Sequence, residues 1–156
     1  MNYITLATRA AKWYNPIDSF LSAMLRSKYI HSELIFDNNY KSFSSRGRIK
    51  GIVPKKKGVS FAQVEYGRGD WIYTKIGEVK MPEHESMVLS RCNEIKGKKY
   101  DMPGAMFNAG FRLPIDKADR FWCSEACAYA LQDFYKVLGR SDNVTPGKLL
   151  EIVRGW

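Results

Sequence analysis

The segment from Tyr29 to Tyr73 most strongly limits the folds that are open to this chain. It holds five short runs rich in β-branched and aromatic residues, separated by Asn-Asn, Gly or Lys clusters. Runs of this kind predict short strands joined by turns or loops. The five runs are YIHSELIF, YKSFSS, RIKGIV, VSFAQVEY and DWIYTKI. We therefore expect four or five antiparallel strands in this segment.

A strand and a helix are predicted before this segment. The first seven residues can form a short strand. Pro16–Arg26 predicts a helix, with Asn15 placed to cap it and Pro16 suited to its first turn. Its apolar residues recur at helical spacing: they are Ile17, Phe20, Leu21 and Met24.

Helical signals return toward the C-terminus. Glu83–Ile95 opens with acidic residues suited to a helix N-terminus, and Cys123–Leu138 is followed by Gly139, which favours helix termination. A last short helix is predicted over Lys148–Val153, after a cap at Thr145-Pro146. The order of helix, strands and helices predicts the α+β class, with a small antiparallel sheet packed against helices.

The composition indicates one globular domain spanning residues 1–156. The chain has 156 residues, of which 45% are hydrophobic and 13% aromatic, which is enough apolar material for a core. This composition excludes a disordered chain. No internal repeat or linker-like tract marks a domain boundary.

The chain is strongly basic. Its formal net charge is +9, from 25 Lys and Arg against 16 Asp and Glu. Such a charge favours nucleic acid, phospholipid headgroups or acidic cell-wall polymers as partners. The dense basic stretch Arg46–Lys57 can be a solvated face or loop, or it can contact phosphates. There is no signal-peptide core at the start and no run near the roughly 20 apolar residues that span a bilayer. We therefore expect no transmembrane segment and a cytoplasmic location.

Cys123 is the cysteine best placed for chemistry. The three cysteines form no repeated spacing, so they fit a reducing compartment better than a disulfide framework. Cys123 opens a predicted helix, where a thiol pKa is lowered and a backbone N–H can point at a developing oxyanion. The alternative is a buried core thiol, which is our interpretation of Cys127. A zinc site that adds Cys92 and a histidine is not expected, because C-x3-C within one helix matches no familiar zinc pattern.

A cysteine nucleophile needs a base, and the chain offers only His31 and His84. His84 lies in a polar helix start, where we expect an exposed surface histidine. His31 lies in the predicted strand YIHSELIF, and the two-residue period places Glu33 on the same face, about 7 Å along the strand. A carboxylate there can orient the imidazole and stabilise its charged form. A half-exposed strand with alternating polar residues is the alternative.

The order of these motifs resembles that of the circularly permuted NlpC-like, papain-like cysteine hydrolases of bacteria and phages. Similar segments run from about Thr8 to Leu150: YIHSELIF, SFSSRGRIKG, KKYDMPGAMF, RFWCSEACAYAL and VTPGKLL. The resemblance implies the permuted papain-like fold, with Cys123 as nucleophile, His31 as base and Glu33 as orienting acid.

Some positions of the family pattern leave alternatives open. In related branches the third polar residue comes from the next strand, which here offers Ser42, Ser44 and Ser45. Tyr100 matches the Tyr-Asp segment of the family, and it can line the site or simply pack. Glu125, in the W-C-S-E motif, is assigned to favourable charge in the first helical turn.

Three functions are open to such a chain. The first is a thiol hydrolase that cleaves an amide or peptide bond through an acyl-enzyme and needs no metal or organic cofactor. The resemblance implies cell-wall peptide as its substrate. The second acts on lipid acyl chains at the same site and predicts an apolar patch or membrane anchor nearby. The third is a non-enzymatic basic module that binds nucleic acid with salt-dependent affinity. For a phage-encoded chain, the expected location is the host cytoplasm or the virion.

Overall fold

An antiparallel sheet of five strands lies at the centre of the computed structural model. The structure describes residues 4–37, 41–47, 58–63, 70–101, 119–138 and 143–155. The strands of the sheet are β1 (Ile4–Ala10), β2 (Tyr29–Phe36), β3 (Lys41–Arg46), β4 (Gly58–Gln63) and β5 (Trp71–Lys75). They lie in the order β4-β3-β2-β1-β5, which makes β2 the central strand. A separate parallel pair is formed by β6 (Lys99–Tyr100) and β7 (Arg120–Phe121).

Four α-helices accompany the sheet within the described ranges. They are α1 (Pro16–Leu25), α2 (Pro82–Ile95), α3 (Cys123–Leu131) and α4 (Pro146–Arg154), with a 3-10 turn at Lys136–Leu138. The Oδ1 atom of Asn15 caps α1 by accepting a hydrogen bond from Ile17 N at 3.0 Å. The Oγ1 atom of Thr145 caps α4 by accepting from Lys148 N at 3.2 Å. Both caps confirm the predicted ones. No helix in these ranges is long and apolar enough to cross a bilayer.

The main core lies on one face of the sheet, which α2, α3 and α4 cover. Alternate residues of neighbouring strands point into it: Leu6 lies opposite Leu34, and Leu34 lies opposite Phe43. All three side chains are fully buried. Burial of each stabilises the fold by about 1.5–3 kcal/mol relative to an exposed side chain. Ala126 and Ala130 of α3 join the same core, where their small side chains let the helix lie close to the strands.

The predicted α+β class is confirmed, and so are four of the five strand runs. The fifth run, RIKGIV, lies outside the described residues. The described part of the first strand runs over Ile4–Ala10, three residues past the predicted end, and residues 1–3 of that prediction lie outside the described residues. It extends further because Thr8 and Arg9 pair with β2 on one side and with β5 on the other.

The predicted helix over Cys123–Leu138 is wrong in its C-terminal half, because α3 ends at Leu131. The carbonyl of Leu131 accepts hydrogen bonds from Phe134 N at 3.0 Å and Tyr135 N at 3.2 Å, which close the helix with a turn. The 3-10 turn that follows returns Leu138 to the core. A turn therefore buries the apolar residues that the pattern had assigned to a longer helix.

A bulge in β2 interrupts its pairing with β1. Arg9 lies opposite His31, but Ala10 lies opposite Tyr29, so Ile30 is an extra residue in β2. A bulge of this kind bends a strand and changes the direction of nearby side chains. Tyr29, beyond the bulge, packs against the main core, whereas His31 stays on the same face as Glu33.

β2 and β3 separate close to this bulge. Their ladder has three residue pairs, which run from Leu34 to Phe36 in β2, whereas the ladder of β3 with β4 has six. Beyond the last pair, Ser32 O accepts a hydrogen bond from the side chain of Ser44 at 2.7 Å. α3 packs against both strands, so its first residue lies near the place where they part.

Gly58, at the start of β4, lies against Lys98 in the turn after α2, and a substitution at Gly58 tests this contact. Its φ is +75°, and a Cβ atom there would overlap the carbonyl oxygen of Lys98. We expect Gly58→Ala to lower the free energy of unfolding by about 2–3 kcal/mol. Gly77→Ala is the control, because that glycine has open space around it. Urea denaturation measures both variants, and equal losses would contradict the described contact.

Candidate active site

Cys123 is the first residue of α3. Trp122 before it has an extended backbone, and its N–H donates a hydrogen bond to Glu125 Oε2 at 3.2 Å. Glu125 therefore fixes the start of the helix through this bond, and it also supplies the negative charge in the first turn that the sequence assigned to it. The amides of a first helical turn lack intrahelical partners, and they stabilise an anion close to them. A thiolate at Cys123 occupies such a position.

The thiol of Cys123 is held by three successive residues of β2. Its Sγ lies 4.0 Å from Ile30 O, the carbonyl of the bulged residue. The side chain of His31 and the backbone of Ser32 lie close enough to the sulfur to lower the pKa of the thiol. The bulge and the parting of β2 from β3 thus give the start of α3 access to His31.

Cys123 and His31 stabilise each other's charged forms. Burial disfavours the charge on both groups, but the Cys123 thiolate and Glu33 together raise the pKa of His31 to about 9. Burial is likewise outweighed at Cys123, whose pKa is lowered by the charge and hydrogen bond of His31 and by backbone hydrogen bonds. Each group therefore favours the charged form of the other, the thiolate of Cys123 and the imidazolium of His31. The thiolate is the form of cysteine that can act as a nucleophile.

Glu33 holds the other side of the imidazole. Its Oε1 lies 3.1 Å from His31 Nε2 and 3.2 Å from Arg46 Nη2. Burial opposes the carboxylate charge, but His31 and Arg46 lower the pKa of Glu33 to about 2. Because Nε2 is bonded to Glu33, Nδ1 is the ring nitrogen left for the thiol. The structure thus brings together the three residues proposed from the sequence.

Arg46 belongs to this site, although the sequence grouped it with a basic run. Its side chain is only 11% exposed. Nη2 donates a hydrogen bond to Ser42 Oγ at 2.6 Å, and Nη1 donates to Ser60 O at 2.9 Å. These bonds fix the planar guanidinium against Glu33. The two-residue period of β3 places Arg46 on the same face as Ser42 and Ser44. This period is the sequence signal that could have shown that Arg46 belongs to the site. Residues 48–57 of the basic run lie outside the described residues.

The other serines of β3 hold backbone segments in place. Ser44 Oγ donates to Ser32 O, and Ser45 Oγ donates to Phe121 O, just before α3 begins. Ser44 was the alternative to Glu33 as the third residue. Among the described contacts of His31, the partner of the imidazole is Glu33.

Tyr100 packs beside the site. It contacts the small cluster formed by Leu25, Ile30 and Trp122, the residue before the thiol. Burial, together with the negative charges of Cys123 and Asp101, raises the pKa of Tyr100 well above its usual range. Its hydroxyl therefore keeps its proton and can serve only as a neutral hydrogen-bonding group near Cys123.

The remaining thiols and the second histidine take no part in the site. Burial raises the pKa of Cys92 and of Cys127, and Cys127 Sγ lies 3.6 Å from Ser32 O within the core. His84 is half-buried rather than exposed, because its ring packs 5.2 Å from that of Phe134. Within the described ranges, no three His, Cys, Asp or Glu side chains are placed to share a metal ion.

The chain matches no protein-family model, no curated protein and no solved structure. The functional inference therefore depends on the geometry and electrostatics of the site. Those properties place a buried thiol, an imidazole and a carboxylate in series.

The low pKa of Glu33 predicts a specific loss of stability in acid. An ordinary Glu pKa of 4.5 falls to about 2 in the folded chain, so the carboxylate stabilises the fold above pH 4.5 and loses this effect as the pH falls toward 2. We expect the stability difference between wild type and Glu33→Gln to shrink over this interval, by at most about 3 kcal/mol. Denaturant unfolding at a series of pH values measures it. Parallel pH curves for the two proteins would contradict the assignment.

Proposed function

We propose that this protein is a cysteine hydrolase that cleaves an amide or peptide bond through Cys123, His31 and Glu33. One observation carries the proposal. A thiol at a helix N-terminus interacts with an imidazole whose Nε2 lies 3.1 Å from a carboxylate oxygen. This is the arrangement that activates a nucleophile, supplies a proton donor and orients that donor.

The catalytic cycle follows from the charges of the resting site. The Cys123 thiolate attacks the carbonyl carbon of the substrate and forms a tetrahedral intermediate. His31 gives its proton to the leaving amine, which departs and leaves a thioester on Cys123. Neutral His31 then takes a proton from water as the oxygen attacks the thioester. Release of the acid product restores the thiolate and the imidazolium. Glu33 keeps the ring oriented throughout, and Arg46 holds Glu33.

The permuted papain-like class is part of this proposal. The strand with the histidine and the carboxylate precedes the helix with the cysteine, which is the order that the sequence resemblance implies. The antiparallel sheet, with α3 packed against its central strand, is compatible with that class. We assign the whole chain, residues 1–156, to this class. The proposed reaction needs no metal or organic cofactor.

Cell-wall peptide is the substrate that we propose for this hydrolase. The net charge of +9 favours approach to an anionic wall polymer that carries such peptides. For a phage-encoded enzyme, release by lysis or delivery with the virion brings it from the host cytoplasm to the wall.

A lipid acyl hydrolase or transferase is the second candidate function. The observation that favours it is a group of exposed apolar side chains on and before α1, among them Trp13 and Phe20. A nucleic-acid-binding module has less support. Arg46, which belongs to the basic run, forms an ion pair with Glu33 inside the protein instead of facing a phosphate. Strongly salt-dependent binding to nucleic acid would be its distinguishing property.

Loss of the thiol should abolish turnover. We expect wild type to cleave peptides from purified cell wall, and Cys123→Ala to lose at least about 10³-fold in kcat/KM. Cys92→Ala is the matched control, because it removes another buried thiol away from the site and should keep nearly full activity. Mass spectrometry of the released fragments measures all three proteins, and phospholipid vesicles tested in parallel report on acyl cleavage. Equal activity of wild type and Cys123→Ala would contradict the proposal.

A further inference from the structure

α1 turns part of its apolar stripe toward solvent. Ile17 is 41% exposed and Phe20 54%, and the turn before the helix presents Trp13 at 88% and Tyr14 at 65% exposure. The buried side of the helix carries Asp18 and Leu25, and Leu21 packs against the same cluster as Leu25. A surface helix of a globular protein ordinarily buries its apolar stripe, so Ile17 and Phe20 are the part of the stripe that α1 leaves uncovered. We call Trp13, Tyr14, Ile17 and Phe20 the α1 patch.

Hydrogen bonds of Asp18 fix this orientation. Its Oδ1 accepts from Arg9 Nη2 at 3.1 Å, and its Oδ2 accepts from Lys12 N at 3.0 Å. Rotation of α1 to bury Ile17 and Phe20 would break these bonds and leave the Arg9 charge without its carboxylate partner. The turn before the helix is held as well, because Ser19 Oγ donates to Trp13 O at 3.2 Å. The α1 patch is therefore presented in a fixed arrangement.

Cations lie at the other end of the same helix. Arg26 caps α1, Lys28 follows two residues later, and both are exposed. With Arg154 of α4 they line a surface cleft of about 420 Å³, in which Glu151 is the one carboxylate among the lining residues. The C-terminal end of α1 thus adds a local positive charge to a chain whose net charge is already +9.

We propose that the α1 patch docks this protein on an anionic lipid bilayer. Trp and Tyr favour the boundary between headgroups and acyl chains, and an amphipathic helix lies in the plane of that boundary. The 10 residues of α1 extend about 15 Å, so the patch and the cations beyond it can meet one surface. The apolar side chains enter the headgroup region, while Arg26 and Lys28 contact lipid phosphates.

Other occupants fit these observations less well. A protein partner needs a matching concave surface of about 800 Å², whereas the patch is four side chains that protrude from one helix and its turn. A second copy would cover the apolar side chains, but it would leave Arg26 and Lys28 without an anionic partner. An anionic wall polymer would meet the cations, but it offers no apolar phase to receive Trp13 and Phe20.

The docking surface adjoins the candidate active site. Leu25 at the inner end of α1 packs in one cluster with Ile30 and Trp122, which flank His31 and Cys123 in the sequence. Bilayer binding would therefore hold the site close to the membrane surface. This inference does not depend on the proposed chemistry, since Cys123→Ser should bind vesicles as wild type does.

Cosedimentation with vesicles tests the proposal. We expect binding at low salt to phosphatidylcholine vesicles that contain phosphatidylglycerol, and binding at least tenfold weaker for the double variant Ile17→Ser with Phe20→Ser. The control double variant is Met81→Ser with Met87→Ser, which removes two apolar side chains exposed on and beside α2 and should bind as wild type does. Lys28→Gln should lower the affinity for the anionic vesicles about fivefold. Circular dichroism checks that each variant is folded.

Three outcomes would overturn the proposal. The first is that wild type does not sediment with the anionic vesicles at low salt. The second is that the α1 double variant binds as tightly as the α2 control. The third is that sedimentation velocity without lipid shows a dimer that the α1 double variant abolishes, which would assign the patch to self-association.

Discussion

The ion pair that Cys123 and His31 can form, thiolate with imidazolium, is the interaction on which the proposed site depends. A single charge at either position would be costly, because Cys123 is buried and His31 is mostly buried. The charges continue outward through the Glu33 carboxylate to the Arg46 guanidinium, each within 3.2 Å of the next, from His31 onward. The charged forms of Cys123, His31, Glu33 and Arg46 thus alternate in sign, so that neighbours in this series carry opposite charges.

The bulge in β2 and the short ladder between β2 and β3, rather than regular strands, allow these four side chains to lie next to one another. The extra residue Ile30 in β2 and the short ladder between β2 and β3 leave room for the start of α3 beside His31. Ser44 bonds to Ser32 O beyond the end of this ladder, and Ser45 bonds to Phe121 O just before α3. The main core, which lies between the sheet and α2, α3 and α4, supplies the rigidity that keeps the side chains of the site at fixed distances from one another.

Local patterns in the sequence predicted the parts of the structure that depend on neighbouring residues. The cap at Asn15 and the shared face of His31 and Glu33 follow from spacing alone, and both occur. The period of β3 gives the face on which Arg46 lies, but its contact with Glu33 joins two strands and is not contained in any local pattern. The end of α3 at Leu131 was missed because the apolar residues that follow it are buried by a turn rather than by a longer helix. The apolar spacing of α1 predicted a helix correctly, but the buried partners of Asp18 decided which side faces the core.

The pH dependence of cysteine alkylation tests the ion pair most directly. Iodoacetamide labelling of wild type and His31→Ala, followed by mass spectrometry of each cysteine, separates Cys123 from the buried Cys92 and Cys127. The ion pair predicts that Cys123 of wild type reacts rapidly well below the ordinary thiol pKa of about 8.5. In His31→Ala that reactivity should shift to alkaline pH. Identical pH profiles for Cys123 in both proteins would contradict the ion pair and, with it, the proposed catalytic site.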